Sequence, residues 1–256
     1  MIAPWVTRMA SQVDFPGGEQ AMLMVLRWIH LVAGITWVGL LYFFNLVNTP
    51  FLKELDAQQR GIVIPKLMPR ALWWFRWSSV VTVLVGFAYW NHMVAENARA
   101  AISAGETASA GRVIGSFVLI WTLAFAVEMG VLMSPAEVLR KGMVLGIIMA
   151  VVIIAASYIF LSLNEQGWES NGVLAIGIGG GLGWFMMLNV WGINWRMQKK
   201  IIRWTEESVA KGTALPAEAA KVARLSFLCS RVNFWLSFPM LFFMGAASHY
   251  MMFVAR

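Results

Sequence analysis

The chain has 256 residues, 59% of them hydrophobic and only 13% charged, with a mean hydropathy of +0.67. Soluble domains carry about 25% charged residues, so the charges here are too few to clothe a water-facing surface. A soluble enzyme, a disordered chain and a disulfide scaffold are excluded, and the composition is that of an integral membrane protein. The formal charge of +7 gains meaning only when its positions are known.

Residues 1–19 include Arg8, Asp14, Pro16 and the pair Gly17-Gly18. They lack the basic start, apolar core and cleavage site of a signal peptide. They read as a short outside segment ahead of a single membrane domain at 20–256. Crossing a bilayer core about 30 Å thick takes roughly 20 apolar residues in a helix. Six stretches qualify: 20–46, 72–95, 111–133, 142–163, 172–197 and 225–254. Turn and charge signals separate them, among them Asn48-Thr49-Pro50 and Asn164–Asn171. Ser134-Pro135 with Glu137 reads as a helix start with Pro at the first position. The expected fold is an all-α bundle of six transmembrane helices.

Lys and Arg then orient the bundle. The loops after the first, third and fifth stretches hold 13 of them, densest between Arg196 and Arg224, against four on the other side (Arg8, Arg99, Arg112, Arg256). The positive-inside rule places both termini outside and the basic loops in the cytoplasm, where anionic lipid favours them. The charge thus reports topology in a bacterial inner membrane and gives no support to nucleic-acid binding. The Arg196–Arg224 segment reads as a solvated interfacial connector. Trp73, Trp74 and Trp77 form an aromatic belt. Cys229, the single cysteine, can form no internal disulfide, and without a CxxCH motif any haem must be held non-covalently.

The remaining Lys/Arg residues, Arg27, Arg76 and Arg231, lie inside predicted spans. So do the three histidines, His30, His92 and His249, all towards the outer side. His30, about ten residues into the first span, is costly there unless paired, ligated or facing a polar cavity. Gly34 and Trp37 share its helix face. Together they suit a haem edge, with Arg27 one turn outward to meet a propionate; the alternative is a His bonded to a nearby carbonyl or hydroxyl. His249 follows a Pro239-interrupted helix and reads equally as a ligand or an interfacial residue. His92, at the membrane edge, reads as water-facing.

The run Gly177-Ile-Gly179-Gly-Gly-Leu-Gly183 lies within a span, so close helix packing through its GxxxG spacings is the first reading. A flat cofactor against Gly177 and Gly181 is the second. Glu128 is the only carboxylate well inside a span. It is expected either to pair with Arg76 or Arg231 or to serve as a proton or quinone-head site with Asn45, Asn189 and Asn233 nearby. Gly39–Asn45 faintly echoes Gly183–Asn189, which raises the idea of a duplicated helical hairpin.

Arg27-Trp28-Ile29-His30-Leu-Val-Ala-Gly34-Ile-Thr-Trp37-Val-Gly39 resembles the first helix of the bacterial membrane-bound urate hydroxylases (PuuD type, the urate oxidase N-terminal domain). The resemblance continues through Pro65–Trp77, Asn189-Val190-Trp191, Gln198–Lys200 and Arg231–Phe242, closing on Ser248-His249-Tyr250. The first-helix pattern is also similar to the HemJ-type protoporphyrinogen oxidases, in which a His at the position of His30 ligates haem b. These resemblances imply a haem b redox protein with His30 and His249 as iron ligands. It would pass electrons between a quinol or small reductant and an external cytochrome c, alone or as one subunit of a larger membrane complex. Full-length urate hydroxylases of this type carry a C-terminal cytochrome c domain, whereas these 256 residues contain no CxxCH. Ser78-Ser79 stands where the family usually has an acidic residue after the Trp matching Trp77. A different class of reading is a cofactor-free accessory subunit of a respiratory or photosynthetic complex, which the many Trp and Met side chains would suit. A transporter has only Glu128 as an ion site and no visible pair of broken helices.

Overall fold

The structure, a computed structural model, describes residues 17–253; most of the segment read as an outside tail therefore lies outside the described residues. Six helices are each long and apolar enough to cross a membrane: α1 Gly18–Glu54, α2 Ala57–Ser103, α3 Ala110–Met133, α4 Gly142–Asn164, α5 Asn171–Lys211 and α6 Ala219–Ala246. The chain is an all-helical, multi-pass membrane protein. With an even number of crossings, α1 begins and α6 ends at the same end of the bundle, called here the termini end.

Two helices run further than the apolar pattern alone marks. α2 starts at Ala57 rather than 72 because Asp56 and Gln59 form a capping box: Asp56 accepts from the Gln59 amide and Gln59 accepts from the Asp56 amide. Pro65 and Pro69 sit inside the helix without ending it. α5 continues to Lys211 and stops at Gly212, whose φ of +62° is a left-handed cap. These extensions lie side by side, with Gly61 of α2 receiving the Val209 side chain. Ser134-Pro135 opens no long helix. Glu137–Arg140 forms one 3₁₀ turn, and α4 begins at Gly142.

α5 is the central strut. Its glycines admit a different neighbour on each side: Phe160 of α4 packs on Gly177, Trp121 of α3 on Gly181, and Phe243 of α6 on Gly179. α1 instead lies at the edge, packed chiefly on α2, with Trp28, Leu31, Val32 and Ile35 exposed. Both α1 and α5 contain a π-helical turn, at Phe43–Asn48 and Val190–Asn194. These turns fall beside the two echoing segments, Gly39–Asn45 and Gly183–Asn189. α1 pairs with α2 as α5 pairs with α6, and the two hairpins run in the same direction rather than inverted.

Candidate functional site

Between the α1–α2 and α5–α6 hairpins, in the half nearer the termini, lies a cavity of about 640 Å³, well within the size range of cofactor sites. Its walls are mostly apolar. Small residues make them flat, with Gly34 and Gly39 on α1, Gly86 on α2, and Gly180 and Gly183 on α5.

His30 is the imidazole that α1 sends into this space. Its Nδ1 lies 2.8 Å from the carbonyl oxygen of Thr82. A carbonyl can only accept, so Nδ1 carries the proton and donates, and Nε2 is left with its lone pair. The ring rests against α2 at Gly86, where a Cβ would come within 2.5 Å of Nδ1. Any larger residue there would push the imidazole out of place. One turn along α1, Gly34 sits over Thr82, its Cβ position 3.6 Å from the threonine methyl. Trp37, also lining the cavity, is buried with an unpartnered indole N–H. Arg27 lines the cavity at its termini end. At the deep end, the Tyr42 hydroxyl lies 3.2 Å from Ser237 Oγ, which itself donates to the Phe234 carbonyl.

The structure thus brings together Arg27, His30, Gly34 and Trp37. It does not bring His249 to them. α6 ends at Ala246, and His249 lies exposed in the following turn, outside the cavity lining. A clamp fixes that turn. Asn171 donates to the carbonyls of Ala247 and Tyr250 and accepts from the amides of Met252 and Phe253. Gly177 and Gly181 face Phe160 and Trp121 rather than the cavity. The packing reading of the glycine run holds for these two, while their neighbours Gly180 and Gly183 form cavity wall. His92 pairs at 3.0 Å with Glu19, in a partly exposed position.

Glu128 is fully buried and pairs with neither arginine. Asn189 donates to its Oε1 at 3.0 Å and to Asn233 Oδ1 at 2.9 Å, while Cys229 Sγ contacts Asn189 Oδ1. Glu128 Oε2 has no partner. Arg76 is held by indoles instead, its guanidinium carbon 4.0 Å from the Trp195 ring centroid and 5.5 Å from that of Trp191. Arg231 lies over Phe227 and Phe234. Neither arginine nor Glu128 lines the cavity.

Sequence reasoning missed Thr82, Gly86, Gly180, Met240 and Met244. Gly86 was the detectable one, being the sole glycine within the second predicted span, where an isolated glycine signals close approach of another group.

This arrangement defines a class: a polytopic helical membrane protein with a cofactor-sized cavity built around one membrane-embedded histidine. The particular family follows from the sequence match. The urate oxidase N-terminal family model matches residues 55–256, most of the chain, and the protein belongs to that family. The matched stretch covers α2 to α6 and begins after α1, the helix that carries His30. No curated protein and no solved structure matches the chain.

Proposed function

We propose that this protein is a haem b redox domain of the urate hydroxylase-like family, with His30 as an iron ligand. In this reading it passes electrons between a quinol or small reductant and a cytochrome c outside a bacterial inner membrane. The observation that carries the reading is the state of His30. Its Nδ1 is committed to the Thr82 carbonyl, and among the described residues its Nε2 has no hydrogen-bond partner at the cavity wall. Metal-bound histidines are typically oriented by such a second hydrogen bond from the other ring nitrogen.

The rest of the cavity suits the same group. Flat glycine walls accept a planar ring, and Arg27 supplies a cation for peripheral carboxylates. Haem bound here would supply one-electron exchange. The chain's own contribution is to fix the imidazole tautomer and exclude water with apolar walls. The charge bias along the loops supports the orientation with both termini outside. Glu128 and its asparagines form a separate buried polar node towards the loop end. There the carboxyl could hold a proton exchanged with a quinone headgroup.

The test is a reduced-minus-oxidised spectrum of detergent-purified protein, with pyridine haemochrome quantification. A b-type α band is expected, and His30→Ala should remove most of the bound haem while the protein stays folded. A folded wild-type chain without a Soret band would sink the reading and favour a cofactor-free accessory subunit.

A further inference from the structure

A haem held by His30 could take a second ligand from the chain; the other predicted imidazole, His249, is exposed just past Ala247 and Ser248, which line the cavity while it does not. The lining does contain three thioethers, those of Met93, Met240 and Met244. Their depths separate them. Met93 is near the termini end, where its methyl lies 3.2 Å from the Cβ position of Gly172. From that common level, Gly86 is seven residues inward along α2 and Gly180 is eight residues inward along α5. At 1.5 Å per residue these are about 10 and 12 Å, so Gly86 and Gly180 stand at nearly one depth. The His30 ring rests on Gly86, and the Met244 methyl lies 3.7 Å from the Cβ position of Gly180. Met240, one turn deeper, places its sulfur 3.7 Å from the Cβ position of Gly183.

We infer that Met244 is the second axial ligand, so that each hairpin supplies one: His30 from α1 and Met244 from α6. This rests on the haem reading above and deepens it. Met244 is on a helix packed against α5, His30 on one packed against α2, and the cavity lies between. A methionine side chain has three rotatable bonds, enough to turn its sulfur from the α5 wall into the space. The thioether is neutral and soft. With a neutral imidazole it adds no charge to a low-dielectric site, and it favours the reduced iron, as methionine ligation does elsewhere.

The experiment uses the full chain with its haem. The oxidised wild-type protein should be low-spin and show the far-red sulfur-to-iron charge-transfer band. Met244→Leu should abolish that band and give a high-spin ferric spectrum while His30 keeps the haem bound. Met244→His guards against a folding defect: it should restore the low-spin state without the band and lower the midpoint potential. A haem-loaded wild type lacking the band, indifferent to Met244→Leu but converted to high spin by His249→Ala or Met240→Leu, would overturn the assignment. Wild-type protein with no haem at all would overturn the reading beneath it, and the two failures are told apart by the Soret band.

Discussion

α1 and α5 enter the bundle at the same end, share a Gly-to-Asn segment and each carry a π-helical turn, yet they do opposite work. In the apolar stretch of α5, 72% of the residues are buried inside the protein, against 6% for α1. α5 spends its side-chain positions on glycines so that three neighbours can reach its backbone. α1 touches mainly α2 and keeps one face for lipid and the other for the cavity. A central helix fixes the bundle, and an edge helix can leave space beside it. Space for a ligand arises where the edge helix α1, tied closely only to α2, faces the other hairpin, and His30 is the imidazole that α1 sends there.

Adding bulk at one glycine of each helix would break this contrast most severely. Gly181→Leu in α5 would collide with the Trp121 indole, which already occupies the Cβ position. Overpacking of this kind costs about 1–3 kcal/mol or more. Gly39→Leu in α1 meets nothing within 4 Å and should leave stability nearly unchanged. Thermal unfolding of both variants in the same detergent checks the pair; equal losses would contradict a central strut and an edge helix.

The buried polar node beneath the cavity sharpens the comparison at a smaller scale. Glu128→Ala would remove the Asn189 contact to Glu128 Oε1, leave only the Cys229 carbonyl and Asn233 Oδ1 as its acceptors, and empty a fully buried place, at a cost of about 1–2 kcal/mol. Glu128→Gln keeps a carbonyl oxygen for Asn189 and should recover most of that loss. If the two variants unfold at the same temperature, Asn189 does not depend on this acceptor and the network has been misread.

The fold was legible in the sequence because hydrophobic length is set by the bilayer and charge by its two faces. Those signals gave six helices and their order, and erred at ends that local caps and contacts decide: the capping box that starts α2 at Ala57, the Gly212 cap that stops α5, the end of α6 at Ala246, and Ser134-Pro135, which mimics a start. Half of the site was legible for a similar reason. His30, Gly34, Trp37 and Arg27 share one helix face, so periodicity alone groups them. The other walls are contributed by Gly86, Gly180 and Met244 from helices far along the chain, and no local pattern encodes which face of α2 meets α1. His249 lies exposed past the end of α6, as in the interfacial one of its two readings, although the sequence stretch 225–254 reads as one apolar run. The Asn171 clamp on the turn that carries it is a contact between residues more than 70 positions apart.

The smallest expected effect concerns how the two hairpins meet on the loop side of the cavity. There Arg76 of α2 is stacked against Trp195 and Trp191 of α5, and Trp191 donates its indole N–H to the Arg76 carbonyl at 3.2 Å. The π-helical turn Val190–Asn194 sits between Asn189 and Trp195, coupling the Glu128 node to this stack along one helix. Arg76 reaches no carboxylate among the described residues, so indole faces take the part that Glu128 was expected to play. A planar guanidinium covers a ring with its whole face, whereas an ammonium is a strongly hydrated point charge. Arg76→Lys should therefore lose about 0.5–1 kcal/mol of stability, with a change in tryptophan fluorescence as the indoles are uncovered. Were Arg76 instead serving Glu128 through charge, Lys would preserve stability and fluorescence alike. In that case combining Arg76→Ala with Glu128→Gln would cost less than the sum of the two single changes.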